Sequence, residues 1–358
     1  MSDAKIRYFL GANTPMGFKS YFSYLTDSRQ LDRLYILKGG PGTGKSSIMK
    51  KIAAAAEQRG LSCQYIHCSS DPDSLDGIYL KEIRTAMLDG TAPHTLEPAL
   101  PGAFEELVYL SDCWDRRLLR LNLDEIRKLS EGIYKEHKRC IGYMTAVRAV
   151  DNDSFSLISD YCLREKIYRY ASRLTAKHLP RLGKGEGRDE RRFLSVVAPG
   201  RVASFAKEAS LLCEQSVIIE DPHGLASSIL LGRLRTAALE RGIDTVSCCC
   251  VCRPDEKLEH LIMPELSLGF FTSNHYHPIS SEHRLIHARR FIDRELEQKK
   301  FRLGFNSRAR AELIDEACIA LGRAKLLHDM LERIYVQSMN FELVDEKTKR
   351  LTAEILSI

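Results

Sequence analysis

The sequence predicts an α/β protein of two tandem domains, each a parallel sheet flanked by helices and each carrying an added helical segment. Three observations predict it. An apolar run passes through a glycine-rich turn into an amphipathic helix in "LYILKGGPGTGKSSIMKK" (Leu34 to Lys51), the same shape returns in "SVIIEDPHGLASSILLGR" (Ser216 to Arg233), and long helical-looking segments follow each copy. At 358 residues and 44% hydrophobic content, the chain is long for a single domain and can bury a sizeable core.

Taken in order, "RLYILK" (Arg33 to Lys38) reads as a strand, and "SSIMKKIAAAAEQRG" as a helix with Ile48, Ile52 and Ala55 on one face and Gly60 as its stop. Between them, Gly39 to Ser46 satisfies the spacing G-x-x-x-x-G-K-[ST]. That spacing has a physical purpose. Glycines let the backbone wrap an anion, the helix N-terminus presents N–H groups, a lysine reaches the outer phosphates, and a hydroxyl holds Mg²⁺. The expected binding residues are Gly39, Gly40, Pro41, Gly42, Thr43, Gly44, Lys45, Ser46 and Ser47, the ligand a nucleoside triphosphate with Mg²⁺. No N-K-x-D guanine-reading motif occurs, which favours ATP. "KLSEG" (Lys128 to Gly132) faintly resembles a transporter ATPase signature but lies in a helical stretch and is read as coincidence.

A second strand, "LSCQYI", leads into "HCSSDPDSLDG" (His67 to Gly77), rich in hydroxyls and carboxylates where ligands of open α/β sheets gather. Asp71 there is a site contact or a solvated loop acid. Asp89, 44 residues after Lys45, ends an apolar run expected to be a later parallel strand beside the loop. It is either the second Mg²⁺-organising group beside Ser46 or a turn aspartate before Gly90. Ala103 to Val150 and Phe155 to His178 read as helical. Pro180 to Arg192, Gly-rich and charged, is the expected linker, dividing the chain into 1–182 and 183–358.

Adding 182 to first-half numbers aligns seven identities between Leu34 and Gly60, including Ile36/Ile218, Gly42/Gly224, Arg59/Arg241 and Gly60/Gly242. The register continues through Pro72/Pro254 and Asp73/Asp255 and, after one inserted residue, through Leu75/Leu258 to His94/His277. Duplication therefore serves as an internal comparison. In this register Lys45 becomes Ser227, Gly39 becomes Asp221, Lys38 becomes Glu220, Gly44 becomes Ala226 and Asp89 becomes Thr272. Two carboxylates near the second loop, with no lysine to offset them, make that half degenerate. A rival reading takes "SVIIED" as the strand that brings the Mg²⁺-organising acid to the first site; the repeat register argues against it. Ser281 to Lys300 and Arg308 to Ile358 complete the second half as helices.

The remaining features exclude more than they assign. A net charge of +5 from 53 basic and 48 acidic residues allows an anionic ligand and does not indicate nucleic acid. The N-terminus lacks a basic region followed by an apolar stretch, and no segment reaches the roughly 18 apolar residues of a membrane span, so a cytoplasmic protein is expected. Eleven cysteines, odd in number and irregularly spaced, fit reduced thiols. "CCCVC" reads as a buried strand with Cys248, Cys250 and Cys252 on one face rather than a metal site, and His275, His277, His283 and His287 as exposed or capping residues.

With the loop, "HCSSDPDSLDG", "DGTAPH" and "CWD" (Cys113 to Asp115) in view, the chain resembles an uncharacterised family of bacterial tandem P-loop ATP-binding proteins over essentially its full length. The resemblance implies a P-loop NTPase fold and ATP binding, and brings no known substrate. In that family both halves carry nucleotide-loop-like sequence; "DPHGLASS" departs from it. Three functions follow as expectations: an Mg²⁺-dependent ATPase with the second half as a regulatory internal pseudo-partner, a nucleotide or small-molecule kinase, or an ATP-gated interaction protein. Lys45 and Asp89 are the expected catalytic groups. Gly90 stands where many ATPases have a glutamate, so no base is assigned.

Overall fold

The structure, a computed structural model, describes residues 5–27, 30–93, 95–183, 185–279 and 284–357. The first half runs through β1 (Ile6–Tyr8), β2 (Gly11–Thr14), β3 (Gly17–Ser20), β4 (Arg33–Lys38), α1 (Lys45–Gln58), β5 (Cys63–His67), β6 (Leu75–Leu80), β7 (Thr85–Asp89) and β8 (Glu105–Tyr109). Helices α2 (Arg116–Leu121), α3 (Leu123–Ser159) and α4 (Arg164–His178) follow. The six-stranded sheet has the order β1-β5-β6-β7-β4-β8. It is mixed, not parallel as expected: β6 is antiparallel to β5 and β7, while β4 is parallel to β7 and β8. The connections over 68–74 and 81–84 are too short for the crossover that a parallel pair needs.

The second half contains β9 (Asp189–Arg192), β10 (Ser195–Ala198), β11 (Arg201–Ser204), α5 (Ala206–Leu212), β12 (Gln215–Glu220), α6 (Leu225–Leu239), β13 (Thr245–Cys250), β14 (Arg253–Met263), β15 (Leu268–Ser273), β16 (Arg284–His287), α7 (Lys300–Gln337) and α8 (Phe341–Leu356). Its sheet, read from β9 to β16, repeats the first strand for strand, with β14 as the antiparallel member. The duplication read in the sequence is thus matched by topology. Three assignments change. Pro180 to Arg192 is not all linker, since β9 pairs with β13; Ala103 to Val150 contains β8; and the described part of Ser281 to Lys300 holds β16 and short 3-10 turns instead of a long helix.

The repeat is also gapped at the loop. The β4–α1 connection spans 39–44 and the β12–α6 connection spans 221–224, two residues fewer. Gly44 and Gly224, both in the left-handed region at φ 88° and 76°, each precede the first helical residue. Lys45 therefore corresponds to Leu225, not to Ser227, and one extra residue in α6 with one more in the turn after it restores the register by Gly60 and Gly242, which share the helix-ending geometry.

Strands buried on both faces separate the cores. Leu34 and Ile36 of β4 face a central core shared by both halves, whereas Tyr35 and Leu37 face an outer core against α1. The central core joins Phe9 and Phe193 to Met144 and Val147 of α3 and to Ile314 and Leu321 of α7. Helices α3 and α7 pack antiparallel: Gly132 is so close to Leu327 that an added Cβ would lie 2.9 Å from its Cδ1, and Arg310 Nε donates to Asp151 at 2.9 Å.

The outer cores do not follow the division at residue 182. Val344, Leu351 and Ile355 of α8 complete the first outer core with Ile48 and Ile52, while Ile167 and Leu174 of α4 complete the second with Leu230 and Leu234. Arg59 bonds the Leu356 carbonyl, and Arg241 bonds that of Leu179. The halves exchange their last helices. Among the described residues, no helix is long and apolar enough to cross a membrane.

Candidate anion-binding site

Lys45 is the first residue of α1, and the six-residue turn before it folds its side chain back over the loop. Its ammonium donates to the carbonyls of Gly39 at 2.7 Å and Gly40 at 2.8 Å, and stands 3.6 Å from Asp89 Oδ2. Asp89 reaches it because β7 runs parallel beside β4, with Asp89 opposite Leu37. The same carboxylate also makes the turn: Oδ1 accepts from the Thr91 amide at 2.8 Å, and Thr91 Oγ1 donates to Gly39 at 2.9 Å. The turn and site readings of Asp89 are therefore compatible. Burial pushes its pKa up, with Lys45 opposing the rise.

Ser46 Oγ accepts from the Leu75 amide at 3.0 Å and so ties α1 to β6. Thr43 Oγ1 donates to Gly40 at 2.9 Å, bracing the turn. Pro41 to Ser47 border a cavity of about 290 Å³ that also takes in Asp71, Asp76 and Asp89. Ser46 and Asp89 offer only hard oxygen donors, which fit Mg²⁺, and Asp76 lines the cavity with them. The free N–H groups of a helix start and a lysine complete a surface suited to a polyanion.

The opposite wall comes from the helix pair, through Ile133 and His137 of α3 and Lys325, His328 and Glu332 of α7. Close approach of α7 is why the loop carries glycine. A Cβ on Gly42 would lie 2.9 Å from the Glu332 carbonyl oxygen, and one on Gly40 2.8 Å from the Tyr335 ring. Asp71 Oδ2 accepts from Ser74 Oγ at 2.8 Å and lies 3.8 Å from Lys325 Nζ. Burial lowers the pKa of both His137 and His328, keeping the imidazoles neutral. Gly90 has no room for a side chain, because a Cβ would lie 2.4 Å from Ile36 Cγ2.

The second loop is filled by its own chain. Asp221, buried, accepts from the His223 amide at 3.2 Å and from the Ser227 amide at 2.8 Å, so a carboxylate sits at the start of α6. A lysine is present after all, contrary to the expectation. Lys257 of β14 is buried against the turn, its Nζ only 2.5 Å from where a Gly224 Cβ would be, and 3.1 Å from Glu259 Oε1. Glu259 stands 4.0 Å from His277 Nδ1 and corresponds to Asp76 in the repeat. Glu220 pairs with His287 at 2.5 Å.

Lys45, Ser46, Asp89 and Asp71 thus border one cavity. Asp76 lies within the carboxylate-rich stretch His67 to Gly77 but was not singled out there, and the α7 residues were missed. Nothing local marks α7, whose distance from the loop in sequence hides the contact. Cys248 to Cys252 are buried, but β13 ends at Cys250 with register shifts, so the expected alternation stops short of Cys252. His277 is buried, so of the two readings, exposed or capping, the exposed one does not hold for it. His94 and His283 lie outside the described residues. All eleven cysteines are free. No family model matches the chain, and no curated protein or solved structure matches it.

Proposed function

We propose that the chain binds Mg²⁺·ATP at Gly39 to Ser47 and hydrolyses it, as a tandem P-loop ATPase with one working loop. The observation that carries this reading is the 3.6 Å approach of Lys45 Nζ to Asp89 Oδ2 across parallel neighbouring strands, with Ser46 one residue along. A lysine and an acid so placed suit, respectively, the outer phosphates and a phosphate-bound Mg²⁺. Lys45 would leave its two carbonyl partners for the phosphates, the loop amides would hold phosphate oxygens, and Ser46 and Asp89 would hold the cation, which neutralises charge on the phosphates when bound. The second half is read as a non-binding pseudo-partner, because Asp221 and Lys257 already fill its loop.

Phosphate release from ATP without any acceptor, lost in Asp89→Asn, is the expected result. Turnover only on addition of an acceptor alcohol would favour the kinase reading, and binding without turnover the ATP-gated one.

A further inference from the structure

The cavity beside Lys45 is lined by residues from both halves, and the second half contributes a cation to it. Lys325 lies in the middle of α7, a helix that follows the second sheet in the chain, yet its side chain borders the first-half cavity. Its ammonium is held by Asp329 one turn along, at 2.5 Å, and by Asp71 at 3.8 Å. Asp71 in turn accepts from Ser74, and the next residue, Leu75, donates its amide to Ser46. This chain of contacts leads from Lys325 to Ser46, the cation-holding end of the proposed phosphate site. Neighbouring α7 side chains make the placement rigid: Glu332 and Val336 pack directly on Gly42.

The helix pair repeats the arrangement on the other side. Arg148 of α3, which the two-fold relation of α3 and α7 places opposite Lys325, pairs with Glu256 beside the filled second loop. Each half thus extends a basic residue toward the loop of the other. On the first-half side that residue, Lys325, borders a cavity.

We propose that Lys325 is a positioning residue for the third phosphate of ATP, supplied by the second half to the site of the first. This inference rests on the nucleotide reading of the cavity. The ammonium is shared between Asp71 and Asp329; a bound triphosphate would offer it a terminal phosphate, a doubly charged partner that it would turn to meet. A diphosphate lacks the group that Lys325 would meet. The device gives the degenerate half a task that needs no nucleotide of its own: α7, clamped to α3 along its length, reads whether the third phosphate is present.

The test compares ADP and a non-hydrolysable ATP analogue, each with Mg²⁺, by calorimetry on the full chain. Lys325→Ala is expected to weaken the analogue about tenfold or more while ADP affinity holds within about twofold, and Lys325→Arg should recover part of the loss. Equal effects on both ligands, or none on either, would overturn the role of Lys325 while leaving the site intact. Failure of the wild type to bind either nucleotide would instead overturn the nucleotide reading and this inference with it. Unchanged ADP binding in Lys325→Ala also certifies that the variant is folded.

Discussion

The amide of Phe9 donates to the carbonyl of Phe193 at 2.9 Å, and the amide of Phe193 returns the bond to Phe9 at 2.9 Å. These residues occupy equivalent places, each just after the edge strand of its sheet. Such reciprocity is the mark of a two-fold interface. Two further backbone bridges obey it, Trp114 with Met339 and Cys162 with Ile292, each joining one half to the end of the other half's long helix. The exchange of α4 and α8 follows from the same symmetry.

That exchange predicts where stability resides. Leu351→Ala, although in the second half, should destabilise the first outer core by about 2–5 kcal/mol, the usual cost of such a cavity. Urea unfolding of the full chain, with amide exchange reporting α1, checks it. Protection lost around α6 instead of α1 would show that α8 does not cover the first sheet.

The buried Lys257 and Glu259 pair should be costly to break and cheap to replace. Lys257→Met leaves a buried carboxylate without its cation and is expected to cost about 3–5 kcal/mol. The double variant Lys257→Met with Glu259→Leu should recover most of this loss. A double variant as unstable as the single one would mean that packing, not charge, fills the second loop.

Acid should destabilise the second half through His260. Its ring is buried against Phe271, neither ring nitrogen has a hydrogen-bond partner, and burial lowers its pKa to about 3. Below the ordinary value of 6.5 the unfolded chain takes a proton that the folded chain refuses, so stability falls with pH from about 6.5 toward 3. Between pH 7.5 and 5.0, His260→Phe should gain about 2 kcal/mol relative to the wild type. A constant difference across that range would place a proton on His260 in the folded protein.

Asp76 is predicted to act in turnover. It is buried at the cavity beside Asp89, and the absence of space at Gly90 leaves no glutamate to orient water. Asp76→Asn should lower phosphate release at least about a hundredfold with ATP affinity nearly unchanged. An equal loss of binding and turnover would make Asp76 part of the cation site instead.

Much of this was legible in the sequence because the informative signals are local. The strand Arg33–Lys38, the loop and the helix beginning at Lys45 follow from apolar runs and glycine spacing, and Asp89 from its place at the end of such a run. The misses have physical causes. β9, "DERR", is an edge strand whose charges are paired or laid on rings, as Arg192 is on Tyr8, and so carries no apolar pattern. The two-residue deletion in the second loop is offset across α6 and the turn after it, which made an ungapped register look continuous and misaligned Lys45. The α7 wall and the lysine from β14 are tertiary contacts that no spacing announces.

The most direct measurement is calorimetry of ATP with Mg²⁺ on the wild type and Lys45→Ala. The proposed site predicts one equivalent bound by the wild type and none detectable in the variant. Binding that survives Lys45→Ala at full strength, or a stoichiometry of two, would contradict it and return the second loop to consideration.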